Sequence, residues 1–255
     1  MSSETKAPLV SVVTASFNAL DGLRETIASV AGQDFKAIEH VVVDGCSSDG
    51  SVEFLRSLGE RVRWVSEPDR GIADALNKGI RMARGDYIVA LQAEDRFVSP
   101  GILSRAAAHL GEADVVSFDV IVERADGTHR YRSHGFGEKL EWFAAVPHQG
   151  AFVRRSLFDR IGDYDLSLAI GMDYEFLLRA KRAGASCKVV PEALALMPAT
   201  GISARLDWPS LSGRLAENRK IQARHARSPL RRLAQAVFWP PYRVYKRLRH
   251  AGAGS

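Results

Sequence analysis

The sequence predicts an α/β fold, a central, mostly parallel sheet flanked by helices, and three observations predict it. Apolar, β-branched runs alternate with stretches of helical periodicity through about the first 95 residues. Two of those runs, HVVVD and YIVALQAED, end in carboxylates. A Gly-rich polar connection, DGCSSDGS at 44–51, follows the first of them. In open α/β sheets ligands bind beyond the carboxyl ends of the strands, so residues at such ends converge however far apart they lie in sequence.

LVSVVT (9–14) reads as a buried strand, and the polar ASFNA leads into a helix around 20–32 with Leu23, Ile27 and Val30 on one face. HVVVD (40–44) is the next strand. Asp49 is the expected N-cap of a helix carrying Val52, Leu55 and Leu58. VRWVSE (62–67) is a third strand and EPDRG a turn; Ala73 to Arg84 is a helix, and DYIVALQ (86–92) a fourth strand. This alternation implies parallel pairing through right-handed crossovers. Beyond Pro100 the pattern loosens. Ile102 to Leu110 reads as helix, 115–132 as a hairpin turning at Asp126-Gly127, and PHQGAFV, SLFDRIG, GMDYEFLLRAKRAG and CKVVPEALALM form a second helix-strand section.

A chain of 255 residues, 46% hydrophobic and 25% charged, can bury one full α/β core. No apolar run approaches the roughly 20 residues of a membrane-spanning helix. The opening MSSETKAPLVSVV has no basic segment followed by an apolar core, so a cytoplasmic location is expected. Cys46 and Cys187 read as two packed thiols, with a disulfide between them not excluded. Charge is uneven: Arg214 to His250 holds eleven Lys/Arg against the single acid Glu217, which leaves the body mildly acidic. This argues against a nucleic-acid partner and for an anionic partner of the tail. The tail should comprise an exposed helix, LDWPSLSGRLAENRKIQARHAR, and an amphipathic basic one in which Leu230, Leu233, Ala234, Val237 and Phe238 follow helical spacing. Its Phe238, Trp239, Tyr242 and Tyr245, mixed with cations, suit the interface of an anionic membrane; the competing reading is a helix packed on the domain with a solvated basic face.

Five blocks in order, VSVVTASFNA, EHVVVDG-SSDGS, EPDRGI-DA-NKG, G-DYI-L-AED and HQ-AF with MDYEFLLR, give the chain a family look. It resembles the family-2 glycosyltransferases of GT-A type, especially the bacterial branch that builds surface polysaccharides. The resemblance covers roughly 9–205. It implies a GT-A domain over 1–205, with a nucleotide-binding half at about 8–98 and an acceptor half at about 99–205, followed by a basic helical tail at 206–255. The implied activity is metal-dependent transfer of a hexose-type sugar, with inversion, from a UDP, GDP or dTDP donor to a hydroxyl acceptor such as a lipid-linked glycan. The tail would hold the enzyme at the inner face of the plasma membrane.

Residue by residue, the resemblance implies that Asp44 holds the base or ribose and that Thr14, Ser16 and Asn18 line the same pocket. For Asp44 alone, the competing reading is an Asx turn before Gly45. AED at 93–95 occupies the family's Asp-x-Asp position, with Ala93 and Glu94 departing from it. Asp95 is then the ligand of Mg²⁺ or Mn²⁺, hard ions that take oxygen donors and bridge to phosphate, and Glu94 a water-mediated partner or ribose contact. Asp69, Arg70, Asp74 and Asn77 surround a helix start, where free N–H groups attract anions. Arg70 could meet phosphate, and the two acids suit sugar hydroxyls; capping by Asp69 is the alternative. Asp173, in the first turn of a helix, is the candidate base, with Glu175 second. His148 and Gln149 resemble an acceptor-side pair. A metal-dependent nucleotidyltransferase and a non-catalytic sugar-nucleotide-binding protein at the membrane are the rival readings; the first usually wants a basic phosphate loop, and TASFNALDG has no Lys or Arg.

Overall fold

A computed structural model describes residues 9–199 and 207–252. The expected boundary at 205/206 and the amino-terminal segment therefore lie outside the described residues. The alternation expected from sequence is present. Strand β1 (Val10–Ser16) leads through α1 (Leu20–Ala31) to β2 (Ile38–Asp44), then α2 (Ser51–Ser57), β3 (Arg63–Ser66), α3 (Ile72–Met82) and β4 (Tyr87–Ala90). The second section comprises β5 (Arg96–Phe97), α4 (Ile102–Ala107), β6 (Val115–Arg124), β7 (Gly127–Tyr131), β8 (Ala151–Arg154), α5 (Arg155–Ile161), α6 (Met172–Arg182) and β9 (Cys187–Pro198). Two helices follow, α7 (Trp208–His225) and α8 (Pro229–Gly252).

One sheet runs through both sections in the order β3-β2-β1-β4-β8-β6-β9-β5, with β7 paired to β6. The pairs β2–β3, β1–β2 and β1–β4 are parallel. Beyond β4 the pairing is antiparallel except for β6–β9. β1 is fed outward on one side by β2 and β3 and on the other by β4, so the strand order reverses at β1. A crevice opens at such a reversal, beyond the carboxyl ends. The Val-rich strands are buried on both faces, by Val13, Val41 and Ile80 on one and Val10, Val12 and Val89 on the other.

Departures from the expected boundaries have local causes. β4 ends at Ala90 because the chain turns back there: Asp95 Oδ2 accepts the Gln92 N–H at 3.0 Å. Pro191 interrupts β9, and the β6–β9 register shifts around Asp119 to absorb it. Asp49 does not cap α2 directly; Gly50, at φ 95°, takes that place. The Asp49 carboxylate instead accepts from Leu20 N (2.8 Å) and Ser51 N (3.1 Å), tying together the starts of α1 and α2.

Helix α7 is not simply exposed, since Leu215, Ile221 and Gln222 are buried beneath it. In α8, Trp239 is 1% exposed and its indole N–H donates to Gln222 Oε1 at 3.0 Å, while Phe238 packs on Trp142 and Phe143. The expectation that Trp239 faces a membrane is thus corrected: its ring is large enough to fill the seam between α8 and α7, and its N–H finds a partner there. The side chains left outside are Leu230 (77% exposed), Leu233, Val237, Val244, Tyr245 and Leu248. With Ala234 and Pro241 they form an apolar outward face bearing an open groove of about 810 Å³.

Close packing at the β1–β4 seam makes one position sensitive. A β-carbon at Gly85 would lie 2.6 Å from Ser11 N and 2.8 Å from Val10 C, both backbone atoms. Gly85→Ala is expected to lower stability by about 1–3 kcal/mol, read as a shifted urea midpoint with an unchanged slope.

Candidate active site

The loops after β1 and β2 are laced together. Ser16 O accepts from Gly45 N (2.9 Å), Ser47 Oγ from Asn18 N (2.8 Å), and Asn18 Oδ1 from Ser48 N (2.9 Å). Asp44 is fully buried at the centre. Its carboxylate accepts from Ser47 N (2.9 Å), Ser47 Oγ (2.5 Å) and Ser66 Oγ (2.7 Å), so it closes the turn as the competing reading held. Asp69 lies across this loop: a β-carbon at Gly45 would sit 2.6 Å from Asp69 Oδ2 and 3.3 Å from Phe17 Cδ2. Phe17 itself is 64% exposed, an aromatic face beside the Asp44 loop that sequence reasoning passed over. Its signal was a lone aromatic residue in an otherwise polar connection. Cys46 is exposed rather than packed, and both cysteines are free thiols.

Among the described residues, the non-glycine positions with left-handed φ are Asn18 (47°), Cys46 (66°) and Glu94 (83°). Each lies in one of the loops following β1, β2 and β4. Such conformations cost about 1 kcal/mol or more for a non-glycine residue and collect at functional sites. Glu94 folds over α1, its N–H donated to Gly22 O at 3.1 Å. Asp95 is buried, and burial pushes its carboxyl up to about 7; Glu94 adds to the rise, while the Gln92 N–H and Gln149 oppose it. Two buried polar atoms beside these strand ends, Ser16 Oγ and Gln92 Nε2, have no protein partner among the described residues.

Gln149 links Asp95 to the acceptor half. Its neighbour His148 bonds Tyr164 Oη at 3.0 Å through Nε2, and the two rings meet edge to face. The negative charge of Asp173 acts on both: it raises the proton affinity of His148, whose burial dominates and lowers it, and helps push the Tyr164 phenol upward. Asp173 lies in the first turn of α6, its Oδ1 accepting from Tyr174 N at 2.7 Å. The structure therefore sets Gln149 against Asp95 and His148 against Tyr164, with Asp173 close enough for its charge to act on both rings; Tyr164 is a member that sequence reasoning missed. A tyrosine within DRIGDYD carries no motif, and only the fold shows what it touches.

Six expected site residues have their polar groups engaged within the protein. Thr14 is in the core, two residues short of the end of β1, its hydroxyl bonded to Leu91 O (2.6 Å) and His40 Nε2 (2.9 Å) from the chains that flank it. Asn77 is buried with both ends of its amide used: Nδ2 donates to Tyr164 O (2.9 Å) and Oδ1 accepts from Tyr164 N (3.0 Å). Asp74 accepts from Arg70 N (3.1 Å) and pairs with its guanidinium (3.2 Å), a capping arrangement at the start of α3. Arg70 is otherwise exposed, and Asp69 Oδ1 accepts from Gly71 N at 2.8 Å. Glu175, the second choice of base, is committed to Arg179 and His225.

A parallel half with acidic strand ends, joined through one sheet to a mixed half carrying a further acid, is the architecture of GT-A glycosyltransferases. The chain belongs to that class and, within it, to glycosyl transferase family 2, whose profile matches residues 11–169. It is 41% identical over 183 residues to an uncharacterized glycosyltransferase of Mycobacterium tuberculosis, covering 69% of this chain and 70% of that one. A PGL/p-HBAD biosynthesis glycosyltransferase of Mycobacterium bovis is 32% identical over 180 residues, covering 68% and 70%. In fold the chain is similar to a Pyrobaculum calidifontis mannosyltransferase in complex with GDP-Man and Mn²⁺, with a TM-score of 0.71 at 21% identity over 98% of this chain and 75% of that one.

The raised carboxyl of Asp95 has a consequence for stability. Below about pH 4 both folded and unfolded chains hold its proton. Between there and about pH 7 only the folded chain does, so ionisation increasingly favours unfolding and its cost is complete above 7. Asp95→Asn keeps an acceptor for Gln92 N–H and removes the charge. It should raise the melting temperature of the ligand-free protein by a few degrees at pH 8 and by much less at pH 5, measured by differential scanning fluorimetry.

Proposed function

We propose that this chain transfers a hexose-type sugar from a nucleoside diphosphate donor to a hydroxyl acceptor, with inversion, in the synthesis of a surface polysaccharide or glycoconjugate. The observation that carries this reading is that β8 runs antiparallel to β4, so that His148 and Gln149, just before β8, stand at the same sheet end as Asp95 and the Asp44 loop, with His148 bonded to Tyr164 at 3.0 Å and within the field of Asp173. The nucleoside would lie along the loops after β1 and β2, over the turn that the buried Asp44 closes, with Ser16 and Asn18 beside it and the exposed Phe17 ring offering a stacking face. The diphosphate would approach the start of α3, where the exposed Arg70 would exchange its Asp74 contact for phosphate and Asp69 would meet sugar hydroxyls.

The donor set suits a divalent cation held jointly by protein and diphosphate. Among the described residues no group of three or more His, Cys, Asp or Glu side chains could hold a metal alone. Asp95, with Glu94 through water, would supply the protein's share of oxygen donors to Mg²⁺ or Mn²⁺, as the buried charge of Asp95 requires a counter-charge. When bound, such an ion stabilises negative charge on the departing diphosphate. The likeness to a GDP-Man and Mn²⁺ complex supports donor class and metal, without choosing the nucleobase.

Asp173 takes the acceptor proton as the acceptor oxygen bonds to the anomeric carbon and the bond from that carbon to the diphosphate oxygen breaks. A single displacement inverts the anomeric centre. The neutral His148 ring, held by Tyr164, and Gln149 would orient the acceptor hydroxyl. Asp173→Asn should reduce kcat at least 100-fold while leaving the donor's binding constant within about twofold. Nucleoside diphosphate release from UDP-N-acetylglucosamine and GDP-mannose, with Mn²⁺ present, measures this; wild-type kcat in the variant removes Asp173 as base and favours a non-catalytic role.

Helix α8 supports the membrane reading. Arg232, Arg243, Lys246, Arg247 and Arg249 line it without a single acid, beside the outward apolar face, while Arg231 is taken up by Glu138 and Glu141 of the domain. A helix whose solvent side is apolar and whose flanks are cationic fits the plane of an anionic bilayer, each cation adding about 1 kcal/mol. No helix among the described residues is long and apolar enough to cross a membrane. The chain would thus lie on the inner face of the plasma membrane and meet a lipid-linked acceptor there. Leu233→Glu with Val237→Glu should cut co-flotation with phosphatidylglycerol vesicles at least tenfold, while wild-type protein should ignore pure phosphatidylcholine.

A further inference from the structure

Helix α7 lies beyond the region matched by the family profile, yet it reaches the residues that precede the candidate base. Glu217, the one acid between Arg214 and His250, turns its carboxylate toward three successive backbone N–H groups. Oε1 accepts from Ala169 N at 2.8 Å, and Oε2 from Ile170 N at 3.0 Å and Gly171 N at 2.8 Å. These residues end where α6 begins, and Asp173 is the second residue of that helix. Gly171 lets α7 come this close: a β-carbon there would lie 2.7 Å from Ile221 Cδ1 and 3.5 Å from Glu217 Oε2.

The same helix holds the segment at two further points. Arg224 pairs with Asp165 at 2.5 Å, and His225 Nε2 meets Glu175 Oε1 at 2.9 Å. The stretch 162–171 is therefore gripped from α7 on one side and by Asn77, through Tyr164, on the other. Between them they fix both Tyr164, which carries His148, and the start of α6, which carries Asp173.

We propose that Glu217 is a positioning residue for Asp173: it satisfies the N–H groups before α6 and so fixes where the base stands relative to the acceptor. This rests on the reading of Asp173 as the base. Free N–H groups at a helix start attract a carboxylate, and no side-chain cap is present within α6 itself. Removing the carboxylate leaves three N–H groups that water can reach, because the Ala169 contact is exposed and the other two partly so. The segment then loosens without unfolding the domain. A displacement of about 1 Å at a catalytic group is enough to cost on the order of 100-fold in rate.

Two measurements on the full chain test this. Hydrogen exchange of a peptide spanning 168–174 should quicken at least tenfold in Glu217→Ala, with the melting temperature within a few degrees of wild type; unchanged exchange overturns the proposal. In kinetics with the better of GDP-mannose and UDP-N-acetylglucosamine, Glu217→Ala should lower kcat 10- to 100-fold and leave donor KM within twofold. Glu217→Gln, which keeps one acceptor oxygen, should recover part of that loss. In an Asp173→Asn background Glu217→Ala should cost little more. Fully additive losses, or a loss confined to donor KM, overturn the positioning role. Wild-type kcat in Asp173→Asn alone is a separate outcome, visible without any Glu217 variant, and it overturns the base reading and the catalytic half of this proposal together.

Discussion

The two hydrogen bonds between the Asn77 side chain and the Tyr164 backbone are the constraint on which the rest of the site depends. Asn77 belongs to α3, in the parallel half; Tyr164 lies in the connection that leads to α6. An amide that gives its donor and its acceptor to one peptide group imitates a strand pairing, and burial excludes water as a substitute for either bond. Distance and orientation of the two halves are thereby set at one residue. From Tyr164 the chain of contact runs outward, by its hydroxyl to His148 and by its ring to Phe158 and Phe176. The aromatic packing makes the peptide immobile as well as bonded. A residue that sequence reasoning assigned to substrate is thus spent on holding another residue in place.

Much of the fold was legible because strands β1, β2 and β4 are buried on both faces and read as continuous Val-rich runs. The carboxylate-ended strands also announced themselves, since a polar residue at the end of such a run has few reasons to be there. What could not be read was direction. Thr14 and Ser16 both sit at the end of β1 and differ by two positions, yet Thr14 spends its hydroxyl on Leu91 and His40 while the Ser16 hydroxyl is left unpartnered. Pattern assigns residues to an edge; only coordinates assign them to a pocket. Tyr164 and Glu217 were missed for a related reason. Their importance comes from contacts with backbone far away in sequence, and backbone acceptors and donors leave no trace in residue identity.

Tail and domain show the same limit from the other side. Helical periodicity marked α8 as amphipathic, and the structure divides its apolar residues between two directions. Trp239 and Phe238 pack inward as in a docked helix, whereas Leu230, Leu233 and Val237 face out as in an interfacial one. One helix can do both because its apolar arc is wider than the strip α7 covers. The loops at the sheet edge combine opposing demands too. Left-handed backbone at Asn18, Cys46 and Glu94 is tolerated because each loop is cross-braced by side-chain bonds to its neighbour or packed on α1.

The seam between α7 and the domain bears on where this molecule can be cut. The match to the family profile ends at residue 169, but Leu215 and Ile221 are sealed against the body, Gln222 Nε2 donates to Trp142 O at 2.6 Å, and Trp239 closes over that amide. The packed unit accordingly extends some seventy residues past the end of the profile match. Truncation at residue 169 would strip the roof from an apolar wall, and a fragment trimmed there for convenience would be a poor stand-in for the whole chain.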